Sequence, residues 1–260
     1  MKRGVKRSSG RQVGQRVAAR RNTSPRPDAR PTNPDGNVHS AIAFLEAIYG
    51  AFTARDRVGP RSVEAAEERL GARLPAALRT LYLETGASRR VHQAHNRLVP
   101  LAKLEFHGDH LVFYEENQAV VVWGIARAAL GRADPPVEHG QFHDQAGAWK
   151  FHPESRSVSE FACAQGAWQA VQGGLPFVGV VAEFRRRASR RGGPVLAKRL
   201  GQPSYLRRDM AAWIVAGGVV VEFLAGFVGL GTRGAQSFVD AATRLGIDLD
   251  AWDYATLRDE

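Results

Sequence analysis

The sequence predicts an α+β protein with short N-terminal helices, antiparallel strands that include a central hairpin, and a later helix. Three observations predict this class. A strong hairpin pattern lies near the middle of the chain, amphipathic helical patterns flank it on both sides, and a polar basic stretch precedes everything else. The 260 residues are 44% hydrophobic, which is enough for a substantial core.

The hairpin pattern covers residues 111–125. Leu111–Tyr114 and Ala119–Ile125 are rich in β-branched and aromatic residues, and the polar run Glu115–Gln118 separates them. Such a break between two apolar runs is the usual signal of a β-hairpin. Side chains alternate faces along a strand, and here both faces are apolar, so we expect central strands that are covered on both sides.

The basic charge of the chain is concentrated in residues 1–37. This segment carries +8 of the total +10 and contains almost no large apolar residues, which leaves +2 for residues 38–260. A chain of this composition cannot bury enough surface to offset the entropy of ordering it, so we predict a disordered basic tail over 1–37 and a single domain over 38–260.

Three short helices are predicted directly after the tail. Apolar residues recur at helical spacing from Val38 to Phe52, and two further short stripes follow. Ser62 is the expected N-cap of the second helix, Gly71 its C-terminal glycine, and Pro75 the first residue of the third helix, which Gly86 ends. Each helix buries one face.

The second half of the chain mixes both patterns. A strand is expected around Leu101–Phe106, and Glu138–Glu154 has no clear period and is predicted to be irregular. Ser157 and Glu160 have the spacing of a capping box that opens a helix through Val171. The remaining elements are three strands at Ala211–Val215, Val219–Leu224 and Phe227–Leu230, and a last helix over Gln236–Leu245.

No motif gives a firm catalytic, cofactor or metal site, and none is predicted. Gly229–Gly234 has a GxGxxG spacing, but too few residues follow it for a nucleotide-binding half, so a turn with a glycine N-cap is the preferred interpretation. Seven of the eight histidines lie between His92 and His152 without a metal-ligand spacing. Cys163, the single cysteine, excludes an internal disulfide and suits a cytoplasmic protein. No apolar run is long enough for a membrane span.

Several motifs together resemble the SUKH superfamily, the homologues of the fungal cell-wall-assembly regulator. They occur in family order from about Val63 to Pro176, and they are Glu68–Pro75 with Leu78, Arg79, Leu81, Tyr82 and Gly86; Leu98–Leu101; Leu111–Gln118; Val122–Ile125; Asp134–Val137; Ser159–Phe161; and Trp168–Pro176. The resemblance implies an α+β fold with helices packed on a mostly antiparallel, curved, multi-stranded sheet. The basic tail and the second basic run, Arg185–Arg191, lie outside it.

The resemblance also implies a non-enzymatic, cytoplasmic protein-binding module. Many bacterial members are immunity proteins that neutralise toxins of polymorphic or contact-dependent systems, so a toxin domain is an expected partner. Within the hairpin we expect partner contacts from Glu115, Glu116, Asn117 and Gln118, because complementary charge speeds encounter with a basic partner. Trp123 is expected in the core, or as a binding anchor if its face of the sheet is incompletely covered.

Two alternatives from other classes stay open. The first is a nucleic-acid-binding or regulatory scaffold protein that uses the basic tail. The tail, with or without Arg185–Arg191, has the charge to bind nucleic acid phosphates, in which case binding would depend steeply on salt. An undetected hydrolase or nuclease could use the histidine-rich stretch, and bound Zn or Mn would then be found in the purified protein. The oligomeric state is not predicted.

Overall fold

The structure, a computed structural model, describes residues 37–143, 147–181, 192–207, 209–215, 217–223 and 226–249, with Trp252, Tyr254 and Ala255. The tail (apart from Asn37), Arg185–Arg191 and Leu224 therefore lie outside the described residues. Within them the fold is mixed α+β with antiparallel sheets, which confirms the predicted class.

Four helices open the folded part. They are α1 (Val38–Tyr49), α2 (Pro60–Leu70), α3 (Ala76–Thr85) and the short α4 (Arg89–His92). The Asn37 side chain caps α1 by accepting hydrogen bonds from the backbone N–H groups of His39 and Ser40. The prediction for α2 was wrong at its start, because Gly59 is the N-cap and Pro60 the first residue. Gly71 ends α2 at a left-handed φ of 61°, as expected.

The first sheet contains β1 (Arg97–Leu98), β2 (Glu105–His107), β3 (His110–Glu115), β4 (Val121–Ala126), β5 (Val137–His143) and β6 (Ala148–Ser155). Its order is β1-β3-β4-β5-β6, and β2 also pairs with β3. The predicted hairpin is β3–β4, and it is central. The irregular interpretation of Glu138–Glu154 was wrong, because β5 and β6 form a second hairpin there.

The second sheet follows in the chain. It contains β7 (Phe177–Val181), β8 (Tyr205–Leu206), β9 (Met210–Val215), β10 (Gly218–Phe223), β11 (Phe227–Thr232) and β12 (Tyr254–Ala255), in the order β12-β7-β11-β10-β9-β8. Helices α6 (Gly192–Leu200) and α7 (Ala235–Leu245) are the last two. The strands are thus divided between two antiparallel sheets, which the sequence did not indicate.

Helix α5 (Val158–Gln169) lies between the two sheets. Nine of its twelve residues are buried, so it has no solvent face, as expected of a helix enclosed by other elements. The larger core joins first-sheet residues such as Tyr114 to second-sheet residues such as Val219 and Val221. A smaller core, which includes Val220 and Phe238, lies between the second sheet and α7. The fold is therefore layered in the order first sheet, central helices with α5, second sheet, and α7.

The GxGxxG segment serves close packing in this arrangement. A five-residue π turn, Ala170–Gly174, follows α5 and packs on β11. A Cβ on Gly229 would lie 2.8 Å from the Val171 side chain, and one on Gly231 would lie 2.7 Å from the Ala170 carbonyl oxygen. Gly234 is the N-cap of α7, as the preferred interpretation had it.

Candidate functional site

One face of the first sheet is turned away from α5, and we call it the outer face. Trp123 and Tyr114 point toward α5, where each ring lies within 6 Å of the Phe161 ring. Strand alternation puts Val122 and Gly124 on the opposite side. The outer face comprises Glu105, His107, His110, Val112, Glu115, Val122, Gly124, Glu138, Gly140, Phe142, Trp149 and Phe151.

Aromatic rings cover one end of the outer face. The Phe151 and His110 rings stack with centroids 3.7 Å apart and an interplanar angle of 6°. Trp149 contacts the rings of Phe142 at 5.6 Å and His107 at 4.7 Å. Phe142 is 49% exposed, and Trp149 and Phe151 are only partly buried. Large exposed aromatic groups that cluster are typical of binding surfaces.

A glycine makes room for the Phe151 ring. A Cβ on Gly140 would lie 2.5 Å from the Phe151 ring, so this ring lies flat over the β5 backbone. Gly124 on the neighbouring strand is similarly close to the His110 side chain, at 3.2 Å. The aromatic rings can therefore lie flat on the sheet because these two positions carry no side chain.

Each histidine of this face is paired with a glutamate. His107 Nε2 lies 2.9 Å from Glu105 Oε1, and His110 Nε2 lies 3.0 Å from Glu138 Oε2. His107 and His110 are directly opposed in the β2–β3 hairpin. These contacts orient both imidazole rings.

A cavity of about 380 Å³ continues the outer face at its other end. Its apolar lining is Leu98, Val99, Pro100, Val112 and Val122, and its polar lining is Gln93, Arg97, Lys103, Glu105, His107 and Glu115. Arg97 and Glu115 are opposed on β1 and β3, and the Arg97 Nε lies 3.3 Å from a Glu115 carboxylate oxygen. An apolar floor with a charged rim suits the side chain of a protein partner.

The wall of this cavity is held from inside by Gln169, which is fully buried at the end of α5. Its Oε1 accepts a hydrogen bond from the His95 N–H at 2.6 Å, and its Nε2 donates to the Asn96 carbonyl at 2.6 Å and to the Tyr114 hydroxyl at 2.9 Å. The segment between α4 and β1 is thereby fixed to β3 and to the central helix.

The sequence-predicted contact residues fall in different places. Glu115 lines the cavity. Glu116 closes the β3–β4 turn by accepting from the Val120 N–H, and Asn117 and Gln118 are exposed in that turn. Trp123 is 9% exposed and packs on Phe161, so it belongs to the core and cannot serve as a surface anchor.

The aromatic end of the outer face was missed because Glu138–Glu154 was predicted to be irregular. A signal was present, since Trp149 and Phe151 alternate with the polar residues Lys150 and His152. Gly147, at a φ of 59°, stands in the turn between the strands.

Other reactive side chains have structural surroundings. Cys163 is buried, and burial with the nearby carboxylates Glu160 and Asp134 raises the pKa of its thiol. His92 is buried beside Thr85, and burial lowers its pKa to about 3. Among the described residues no group of three or more His, Cys, Asp or Glu side chains is placed to hold a metal ion.

A charged cluster joins the edges of the two sheets. The Arg207 guanidinium bonds Glu154 of β6 at 2.9 Å and both carboxylate oxygens of Asp209 at 2.9 and 3.0 Å. Burial disfavours the charged form of Arg207, but Asp209 and Glu154 more than compensate and raise its pKa. We regard this cluster as a structural link between the sheets.

Comparisons of the chain with protein-family models, with curated proteins and with solved structures gave no match. Within the described residues, no helix combines the length and the apolar character needed to cross a lipid bilayer.

Proposed function

We propose that this protein is a non-enzymatic protein-binding module of the SUKH type, and that it acts as a cytoplasmic immunity protein that covers part of a toxin domain. The binding surface is the outer face of the first sheet. The observation that carries the proposal is a cluster of aromatic rings, of which Phe142 is exposed and Trp149 and Phe151 are partly buried, beside a cavity with an apolar floor. Aromatic groups next to such a cavity are the composition of interface hot spots.

Two further observations support a binding role for this face. Charged side chains at the rim of the cavity form ion pairs, such as Arg97 with Glu115, so their orientation is fixed before a partner binds. Glu115, which the resemblance and the hairpin pattern singled out, lines the cavity. Occlusion of a partner surface needs no catalytic group.

The test uses toxins encoded next to this gene in the native host. Co-expression of the protein should rescue growth of cells that express its cognate toxin. Phe142→Ala together with Glu115→Lys should abolish the rescue, because one change removes an exposed ring and the other reverses a rim charge.

The matched control is Leu206→Ala, which also truncates an exposed apolar strand residue, 45% exposed in β8 of the second sheet. It should rescue as well as the unchanged protein. If no neighbouring toxin is neutralised, the immunity proposal fails. If both variants rescue equally, the outer face is not the binding surface.

A further inference from the structure

The outer face combines aromatic rings, among which Phe142 is exposed, with carboxylates, and this chemistry binds guanidinium groups. Phe142 is 49% exposed, and the Glu105 side chain is 69% exposed beside His107 and Trp149. Arginine stacks on aromatic faces and forms charge-assisted hydrogen bonds to carboxylates. The protein already uses this contact elsewhere, where the Arg127 guanidinium lies 3.6 Å from the centroid of the Phe106 ring.

The charges of the face are unevenly distributed. Glu105 and Glu138 lie beside the aromatic rings, and Glu105 also lines the cavity, as do Arg97 and Lys103. Arg97 is already paired with Glu115. The two carboxylates beside the rings therefore suit a cation better than an anion such as a nucleic acid phosphate.

A basic segment of the same chain has the charge that this face would bind. Residues 1–36, which we call the basic arm, contain eight arginines and two lysines against Asp28 and Asp35. The arm joins the folded part at Asn37, which is exposed at the start of α1. We propose that the basic arm binds the aromatic end of the outer face of its own chain, and that a protein partner must displace it.

Tethering makes weak contacts sufficient for this interaction. If the arm has no fixed structure, as its composition predicts, 36 residues would give a root-mean-square end-to-end distance of about 30–36 Å, and short tethers of this kind give effective concentrations on the order of 1 mM. A contact with an intermolecular Kd of about 1 mM would then be occupied about half of the time. A few guanidinium contacts to rings and carboxylates reach that affinity.

The experiment uses the full chain and a zero-length carbodiimide cross-linker, which joins amines to carboxylates in direct contact. Lys2 and Lys6 are the two amines of the arm's side chains. At about 50 mM salt we expect mass spectrometry to find cross-links from these lysines to Glu105 and Glu138. They should decrease several-fold at about 500 mM salt, because exposed charges are then screened.

The variant that tests the surface is Phe142→Ala with Glu105→Gln, both of which change exposed side chains. It should reduce cross-links to Glu138 at least threefold and speed tryptic cleavage of the arm by a similar factor. The control, Glu64→Gln, removes an exposed carboxylate of α2 and should change neither rate.

Cross-links spread evenly over surface carboxylates, Glu64 included, would overturn the proposal. So would an arm that cleaves equally fast in the unchanged protein and the double variant. An arm that contacts no carboxylate but binds duplex DNA with a steep salt dependence would instead assign it to nucleic acid. The toxin-rescue result does not depend on any of these outcomes.

Discussion

Gln169→Ala should be among the most destabilising single substitutions of a polar residue in this protein. The amide makes three hydrogen bonds of 2.6–2.9 Å and is fully buried. Its removal leaves the His95 N–H, the Asn96 carbonyl and the Tyr114 hydroxyl without this partner. A buried polar group without a partner costs roughly 1–3 kcal/mol.

The three losses do not add fully. The space left by the shortened side chain can hold about one water, which replaces part of the bonding. We therefore expect the free energy of unfolding to fall by about 3–4 kcal/mol. With a urea m value of about 2–3 kcal/mol per molar, the unfolding midpoint should fall by about 1–2 M.

The matched control lies one helical turn earlier. Gln165→Ala truncates the same side chain on the same helix, but Gln165 is only partly buried and accepts a single hydrogen bond, from the Asn96 side chain at 3.0 Å. Its loss should cost about 1 kcal/mol. The assay is urea unfolding followed by fluorescence and by circular dichroism.

Equal midpoints for the two variants would refute this reasoning. That result would mean that water satisfies the groups that Gln169 contacts, and that the cavity wall is held by other interactions. Amide hydrogen exchange gives an independent check, because the His95 N–H should lose its protection in Gln169→Ala and keep it in Gln165→Ala.

Three further predictions concern buried groups. Trp123→Ala should lower the free energy of unfolding by about 3–5 kcal/mol. Trp123→Phe should cost under about 1.5 kcal/mol, because the buried indole N–H has no hydrogen-bond partner among the described residues. Urea unfolding midpoints check both values. Gly140→Ala should displace the Phe151 ring and cost about 1–3 kcal/mol in the same assay, while a cost near zero would mean that this ring moves freely. The pKa of His92 is about 3 in the folded protein, below the 6.5 of an unperturbed histidine, so unfolding takes up a proton between these pH values. Its share of stability should therefore be complete above about pH 6.5 and decrease by up to about 1.4 kcal/mol per unit as the pH falls, and His92→Gln should show a shallower dependence in unfolding experiments across that range.

Local sequence signals were sufficient to predict those elements whose structure depends on residues close to them in the chain. The hairpin β3–β4 followed from two β-branched runs around a polar turn, and Gly71 and Gly246 end their helices in the left-handed conformation. Ser157 caps α5 as predicted, but the Glu160 carboxylate accepts from the Arg156 N–H, so the capping box is only half formed. The spacing of Ser157 and Glu160 in the sequence does not determine which backbone N–H the Glu160 carboxylate accepts from.

Features that depend on distant residues were not predictable in this way. The register shift between Val112 and Tyr114 brings both Phe113 and Tyr114 against Phe161, which interrupts the strict alternation expected along β3. The hairpin β5–β6 was missed because its apolar residues face solvent on the outer face and are interleaved with glycine and histidine. The alternation of Trp149 and Phe151 with polar residues covers only a few positions, so it is a weaker signal than the continuous apolar runs of β3 and β4.

The two sheets differ in which elements cover their faces. This difference predicts different effects for substitutions in each sheet. The second sheet has the central helices on one side and α7 on the other, so alternate residues such as Val220 and Val221 are buried in different cores. The first sheet has helices on one side, and its outer face carries the exposed Phe142 next to the buried side chains of Val112 and Val122. Substitution of an exposed outer-face side chain such as Phe142 should therefore change the proposed binding at nearly constant stability, whereas substitution of buried residues in the second sheet should lower stability first. If the outer face binds a partner as we propose, its exposed side chains can vary to match that partner without disturbing the core.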